Sequence, residues 1–459
     1  MTSVPEGDIS PAPRGAGGAG RRDQATLAAA ACLALCLLNL GFQLVLHAGA
    51  LDNRIVSARH PASADALEYA RTAMAVAPGA ESDAAPASFA QRFNAAFGDG
   101  WRMPGYPLFL AAFQGAAEPW RAARWAQVAL TAPIGAAFFL TLLLPTAPRC
   151  GNGLRPFLPA LAGGTLAALW PPLYHYSPAL LAEAPALALM AWLPLALARR
   201  RAIAAGALIA ALTYLKPNHL LLLGPVLLFF FLAGADDARR APGARGAAMR
   251  ARLRQPLLAA AAALALLAPW SAYVSQRQGA FVPLTLNAGY NLLLGTGRVP
   301  HGDPTALPYR VARTLGIQDP DATTKEDGDT ALALSAGARA AAWSTAGRSL
   351  WAERPVALTL HGVAKALHAF GFSLRGARDA LLALFTVAAV LAGCLLWRRR
   401  RHRAWVAFAA ACGLAVALQA FIYLPNQRFK TVLFDPAALL VIALALPGSR
   451  PRNLLQGEA

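Results

Sequence analysis

Ten apolar runs, most of them close to the length that crosses a bilayer, recur along this chain between short arginine-rich stretches. They fall at about 26–46, 121–144, 156–173, 179–197, 202–214, 219–234, 256–274, 379–397, 404–424 and 431–447. A transmembrane helix needs roughly 20 mainly apolar residues. Inside lipid every backbone polar group must find a partner within the structure, so runs of this length fold as helices. Their Gly and Pro residues are no obstacle, because neighbouring helices satisfy the freed backbone groups. The predicted fold class is an all-α polytopic membrane protein, a bundle of about ten transmembrane helices. Composition agrees. The 459 residues are 57% apolar and 14% charged, with mean hydropathy +0.42, against about 45–50% and about 25% in soluble domains. Small secreted disulfide proteins, disordered chains and soluble α/β enzymes are thereby excluded.

The formal charge of +19 and pI near 10.8 would ordinarily point to nucleic acid or an anionic surface. Charge this sparse, without zinc-ligand spacing, an RNP-like motif or a basic stripe with interleaved aromatics, argues against a nucleic-acid partner. Topology accounts for it instead. With a cytoplasmic N-terminus the inside segments are 1–25, 145–155, 198–201, 235–255, 398–403 and 448–459. These hold 21 of the 42 basic residues but six of the 23 acidic ones. Arg199-Arg200-Arg201 and Arg398-Arg399-Arg400-Arg401 each abut a run, where the positive-inside rule has most force.

The expected organisation is a disordered cytoplasmic N-terminus over 1–25, a transmembrane domain over 26–447 and a cytoplasmic tail over 448–459. The first apolar run exceeds a signal-peptide core and reads as a retained anchor. Two long segments, about 47–120 and 275–378, then lie on the extracytoplasmic face, and segments this long are usually functional or disordered. The first sets Trp101, Tyr106, Phe109 and Phe113 around Pro104 and Pro107, a composition suited to interfacial helices. No internal repeat or inverted pair of broken helices is apparent.

Cys32, Cys36, Cys394 and Cys412 fall inside runs and Cys150 in an inside loop, so packing rather than disulfide formation is expected. The eight histidines do not cluster. His361 and His368 are seven apart, too far for a metal pair, and no metal or cofactor is expected.

The chemistry-bearing residues gather on the extracytoplasmic side. In a helix, Asp65, Glu68 and Tyr69 share a face at i, i+3 and i+4. A carboxylate there can act as a general base, although acidic residues also favour a first turn through the helix dipole alone. Arg102 precedes the Pro104-Gly105-Tyr106-Pro107 turn, either as a phosphate contact or as a headgroup-depth anchor. Glu183 sits near the outer end of the fourth run, where a charge is costly and points to function. Lys216 stands at a Pro-marked helix break, and Arg428 and Lys430 occupy a short outer loop. Separated cations and carboxylates on one membrane face suit an anionic, lipid-linked substrate.

At these residues the chain resembles the GT-C membrane glycosyltransferases, in particular the bacterial protein O-mannosyltransferase-like and aminoarabinose-transferase-like group. The resemblance rests on five elements in order: Asp65-Ala66-Leu67-Glu68-Tyr69, Arg102 to Pro107, Glu183, Lys216-Pro217, and Asn426-Gln427-Arg428-Phe429. Gly289-Tyr290-Asn291 to Gly295 also looks familiar from this group. It departs from the pattern at Trp101, where one branch carries a charged pair, and at Phe429, where Tyr is common.

The resemblance implies sugar transfer from a polyprenyl-phosphate donor to a lipid, glycan or protein acceptor, at the extracytoplasmic face of a bacterial inner membrane. Asp65 would be the base, with Asp52 and Asp99 as competitors. Arg102, Lys216 and Arg428 would hold the leaving phosphate; Glu68, Tyr69, Tyr106 and Glu183 would contact substrate. The alternatives are a flippase or transporter of lipid-linked sugar, and a ligase or polymerase of lipid-linked glycans.

Overall fold

The computed structural model describes residues 17–51, 63–78, 88–143, 157–239, 245–296, 336–373, 376–423 and 427–446. Every regular element among them is helical. Helix α1 (Gly17–His47) begins well before residue 26. Nothing in Arg21-Arg22-Asp23-Gln24-Ala25 breaks a helix, and extending one costs little once a turn exists. The N-terminal segment expected to be irregular is thus helical from Gly17, and its remainder lies outside the described residues.

Three short helices follow: α2 (Ser63–Val76), α3 (Phe89–Phe97) and α4 (Gly105–Ala111). Next come α5 (Pro119–Thr131) and α6 (Ile134–Leu143), parted at Ala132-Pro133, where the proline cannot donate to the preceding turn. After α7 (Phe157–Ala168) and the single turn α8 (Pro171–Tyr174) come α9 (Glu183–Ala198) and α10 (Ala202–Leu215). A 3-10 segment, Pro217–Leu222, leads into α11 (Leu223–Arg239), followed by α12 (Arg245–Gln278) and α13 (Ala288–Thr296). The remaining helices are α14 (Ala336–Glu353), α15 (Pro355–Ala369), α16 (Ala377–Trp397), α17 (Arg403–Ile422), α18 (Gln427–Leu433) and α19 (Asp435–Ala445).

Among the described residues, six stretches are long and apolar enough to cross a membrane: Gln24–His47, Pro119–Leu143, Pro217–Ala235, Arg252–Gln278, Ala377–Trp397 and Arg403–Ile422. The other four apolar runs fold as shorter helices, α7, α9, α10 and α19. Local sequence sets their ends: Pro171-Pro172 follows α7, the arginine turn at 199–201 separates α9 from α10, Pro217 ends α10, and Asp435-Pro436 opens α19. The long helices carry exposed leucine and valine faces. Leu33, Leu37 and Val45 on α1, Leu257 on α12, and Leu384, Leu391 and Leu395 on α16 are all exposed. Such extended apolar faces require lipid or another apolar partner. The chain is an all-α membrane protein.

One apolar core runs through the bundle from Ala31 and Leu35 of α1 to Leu439–Leu444 of α19. Small residues bring helices close, as in membrane bundles generally. A Cβ at Gly135 of α6 would lie 2.7 Å from Ala168 Cβ, and one at Gly164 of α7 only 2.9 Å from Gly135 O. A line of neutral polar side chains is buried within this packing. Asn39 Nδ2 donates to Ala168 O (2.7 Å), Gln43 Nε2 donates to Asn39 Oδ1 (2.6 Å), and Gln43 also reaches Thr131 Oγ1 (3.0 Å). These groups serve as interhelical glue, satisfied by one another and by backbone carbonyls.

Helix direction decides which charges can meet. Helix α9 starts at Glu183 and α10 ends at Leu215, so Glu183 and Lys216 share one end of the bundle. Helix α17 runs towards Arg428. A 16-residue helix is about 24 Å long, which places Arg199–Arg201 at the end of α9 away from Glu183.

Candidate functional site

The site is assembled on α2, whose i, i+3, i+4 spacing presents Asp65, Glu68 and Tyr69 together. Arg102 comes from the turn between α3 and α4. That turn passes so close to the end of α10 that a Cβ on Gly105 would lie 2.6 Å from Tyr214 O. Only glycine allows this approach, and it brings Arg102 onto α2. Arg102 donates from Nε to Glu68 Oε1 (2.8 Å), and from Nη2 to Glu68 Oε2 (2.5 Å) and to Asp65 Oδ1 (2.9 Å). The fork-to-carboxylate pairing fixes its plane.

Residues distant in sequence complete the cluster. Arg428, in the first turn of α18, donates from Nη2 to Asp65 Oδ2 (2.5 Å), 363 residues away. Its Nε lies 3.4 Å from Glu183 Oε1. Lys216 Nζ donates to that same oxygen (2.7 Å). The charges therefore alternate along one line: Glu68, Arg102, Asp65, Arg428, Glu183, Lys216. The cluster as a whole is neutral. Side-chain exposure rises from 1% at Glu183 through 13% at Arg428 and 20% at Asp65 to 33% at Glu68, so Glu68 marks its open end.

Aromatic rings support the cations. Arg102 lies 5.2 Å from the Tyr69 ring centroid, Lys216 4.7 Å and Arg428 5.8 Å from that of Phe429, within cation–π range. Tyr69 meets Tyr106 edge to face at 4.8 Å. The Tyr106 hydroxyl donates to Gln127 Oε1 (2.7 Å), and Gln127 Nε2 donates to Ser177 O and Ala179 O.

Burial alone would raise the Asp65 pKa, but the Arg102 and Arg428 guanidiniums, with Lys216 beyond, outweigh it and hold the carboxyl well below the usual range. Burial pushes the Tyr69 phenol up. Burial and the neighbouring Arg428 push the Lys216 ammonium down, against the pull of Glu183.

All eight residues singled out from sequence, Asp65, Glu68, Tyr69, Arg102, Tyr106, Glu183, Lys216 and Arg428, belong to this cluster or its aromatic floor. Asp99 accepts the Trp101 backbone N–H (3.0 Å) in a local turn, and Asp52 lies outside the described residues. Among the described residues no group of three His, Cys, Asp or Glu could hold a metal ion.

Sequence reasoning passed over two of the braces that hold the cluster in place, Gln127 and Asp379. Gln127 is neutral and gave no charge signal. Asp379, at the start of α16, accepts from Gln427 Nε2 (2.8 Å) just before Arg428. Just after it, Lys430 is fully buried, donates to Asp435 Oδ1 (2.7 Å) and lies between the Phe385 and Phe434 rings. Lys430, expected beside Arg428 in a short outer loop, instead lies on α18 and turns inward to pair with Asp435. Comparison with protein-family models, curated proteins and solved structures finds no match.

Proposed function

We propose that the protein is a membrane glycosyltransferase of the GT-C type that takes a sugar from a polyprenyl-phosphate donor. The observation that carries this reading is the convergence of Arg102, Lys216 and Arg428, from three separate parts of the chain, on two carboxylates at one end of apolar helices. Three cations held beside a partly exposed Asp65 combine a phosphate site with a base. In the reaction, the acceptor oxygen forms a bond to the anomeric carbon as the bond from that carbon to the phosphate oxygen breaks. The phosphate leaves with the electron pair and is stabilised by the cations. The acceptor proton goes to Asp65. Glu68 and Glu183 fix the cations, with Tyr69 and Tyr106 as the floor.

The topology we favour has ten crossings and both termini in the cytoplasm of a bacterium. The four short apolar helices complete the six long ones, and the arginine turn at 199–201 lies away from the cluster. An apolar cleft of about 280 Å³ between α15 and α17, lined by Val363, Leu367, Phe372, Leu418 and Phe421, offers a bed for the prenyl chain. A transporter of the same lipid fits less well. Asn39, Gln43, Gln127 and Thr131 inside the bundle are neutral, fully buried and bonded to one another or to backbone, and the buried charges Lys430 and Asp435 pair with each other. They line no path.

The test is transfer of radiolabelled sugar by purified protein in liposomes containing polyprenyl-phosphate sugars. Consumption of donor by wild type and its loss in Asp65→Asn support the reading. Product length separates single-sugar transfer from polymerisation.

A further inference from the structure

Every cation of the cluster is held by a carboxylate. Each of the three is already neutralised by a carboxylate of the same line, so an incoming anion must compete with a group the protein itself supplies. The carboxylates are unequal competitors. Glu183 is the most deeply buried, at 1% side-chain exposure, and its Oε1 is held by Lys216. Glu68 pairs with one cation, Arg102, through both oxygens. Asp65 alone bridges two guanidiniums, one through each oxygen, and is one-fifth exposed. An anion that takes the Nη2 groups of both arginines displaces Asp65 from both at once.

We propose that Asp65 is a built-in occupant of the anion site: phosphate binding expels it from Arg102 and Arg428, and that expulsion readies it to accept a proton. This deepens the transferase reading and rests on it for the identity of the anion, a lipid-linked phosphate diester. The charged and titratable groups facing Asp65 are Glu68 and Tyr69 on α2, Arg102 from the α3–α4 turn, Glu183 on α9, Lys216 after α10 and Arg428 on α18. Paired with two guanidiniums, a carboxylate is a weak base. When phosphate oxygens take those guanidiniums, the same burial that was previously outweighed raises its proton affinity, beside an anion that raises it further. The base is therefore switched on only when donor is present. The acceptor proton that it takes balances the bond made to the anomeric carbon, and the departing phosphate keeps the electrons of the bond that breaks.

The test uses the full-length protein in nanodiscs and a short-chain dialkyl phosphate, whose single negative charge does not titrate near neutrality. Asp65→Asn should bind this probe about tenfold tighter than wild type, on the scale of one charge-assisted hydrogen bond no longer competing. Glu118→Gln, outside the cluster and paired with Arg121 one helical turn on, should leave affinity unchanged. Equal or weaker binding by Asp65→Asn overturns the proposal.

Should that variant not fold, wild type decides by calorimetry in buffers of different ionisation enthalpy. Probe binding at about pH 5, near an ordinary carboxylate pKa, should take up protons. No uptake overturns the proposal. The two readings fail separately. Tighter binding by Asp65→Asn without sugar transfer by wild type refutes the transferase alone. Transfer by wild type without tighter binding by the variant refutes the competition alone.

Discussion

Neutralising Glu183 and Lys216 together should destabilise the protein by less than the sum of the two single neutralisations. Glu183 Oε1 lies 2.7 Å from Lys216 Nζ and 3.4 Å from Arg428 Nε, and Glu183 is 1% exposed. At an effective dielectric of about 20, a pair this close interacts by roughly 5 kcal/mol. Much of that is cancelled by the desolvation of both charges, and removing one member of a buried pair typically costs about 3–5 kcal/mol. Glu183→Gln keeps the shape and strands Lys216 beside Arg428, a like charge, so it should fall in that range. Lys216→Met should cost about as much, because it leaves Glu183 dependent on Arg428. The double variant removes both charges and leaves Arg428 paired with Asp65. Its cost should fall short of the sum of the two singles by about 2 kcal/mol or more, within the range of coupling energies for contacting residues. Denaturant unfolding in detergent micelles, read by tryptophan fluorescence, measures all four proteins. Additive singles of under about 1 kcal/mol each would refute the reasoning, because that is the behaviour of solvent-screened surface pairs. Sugar transfer should be lost in all three variants.

Gln127→Leu should destabilise by about 2 kcal/mol, since it strands the Tyr106 hydroxyl and the buried Ser177 carbonyl; the same unfolding measurement checks this. Gly105→Ala sets a Cβ against the Tyr214 carbonyl and should cost about 1–3 kcal/mol while raising the donor KM through a displaced Arg102, as read in the transfer assay. The pH dependence of stability also has a definite sign. The folded-state pKa of Asp65 is lowered, so its stabilisation is complete above its unfolded pKa of about 3.9 and is lost as pH falls below that. The stability difference between wild type and Asp65→Asn should be constant from neutrality to about pH 5 and shrink below about pH 4.

Much of the site was legible because a membrane chain carries few charges, and those at the ends of apolar runs stand out. Glu183 and Lys216 are conspicuous beside α9 and α10, and the spacing of Asp65, Glu68 and Tyr69 already implies a shared face. The pairing among them was not legible. That Arg428 would bridge Asp65 and Glu183 follows from tertiary packing of α18 against α9 and α17, which no local pattern encodes. Gln127 escaped notice because a neutral amide within an apolar run has no signature until its partners are known. Helix limits diverged for a similar reason. The apolar run at 156–173 breaks at Trp170-Pro171-Pro172, and α1 extends past its apolar run to Gly17 because hydropathy marks where lipid would lie rather than where backbone hydrogen bonds stop.

The central claim is that this cluster moves a sugar from a phosphate-linked lipid with Asp65 as base. Wild type, Asp65→Asn and Arg428→Gln in liposomes with radiolabelled polyprenyl-phosphate sugars test it most directly, with folding verified by unfolding midpoint. The account predicts that wild type consumes donor, that Asp65→Asn retains donor binding but loses turnover, and that Arg428→Gln loses binding. Full turnover by folded Asp65→Asn, or no donor consumed by wild type with any sugar, would contradict it.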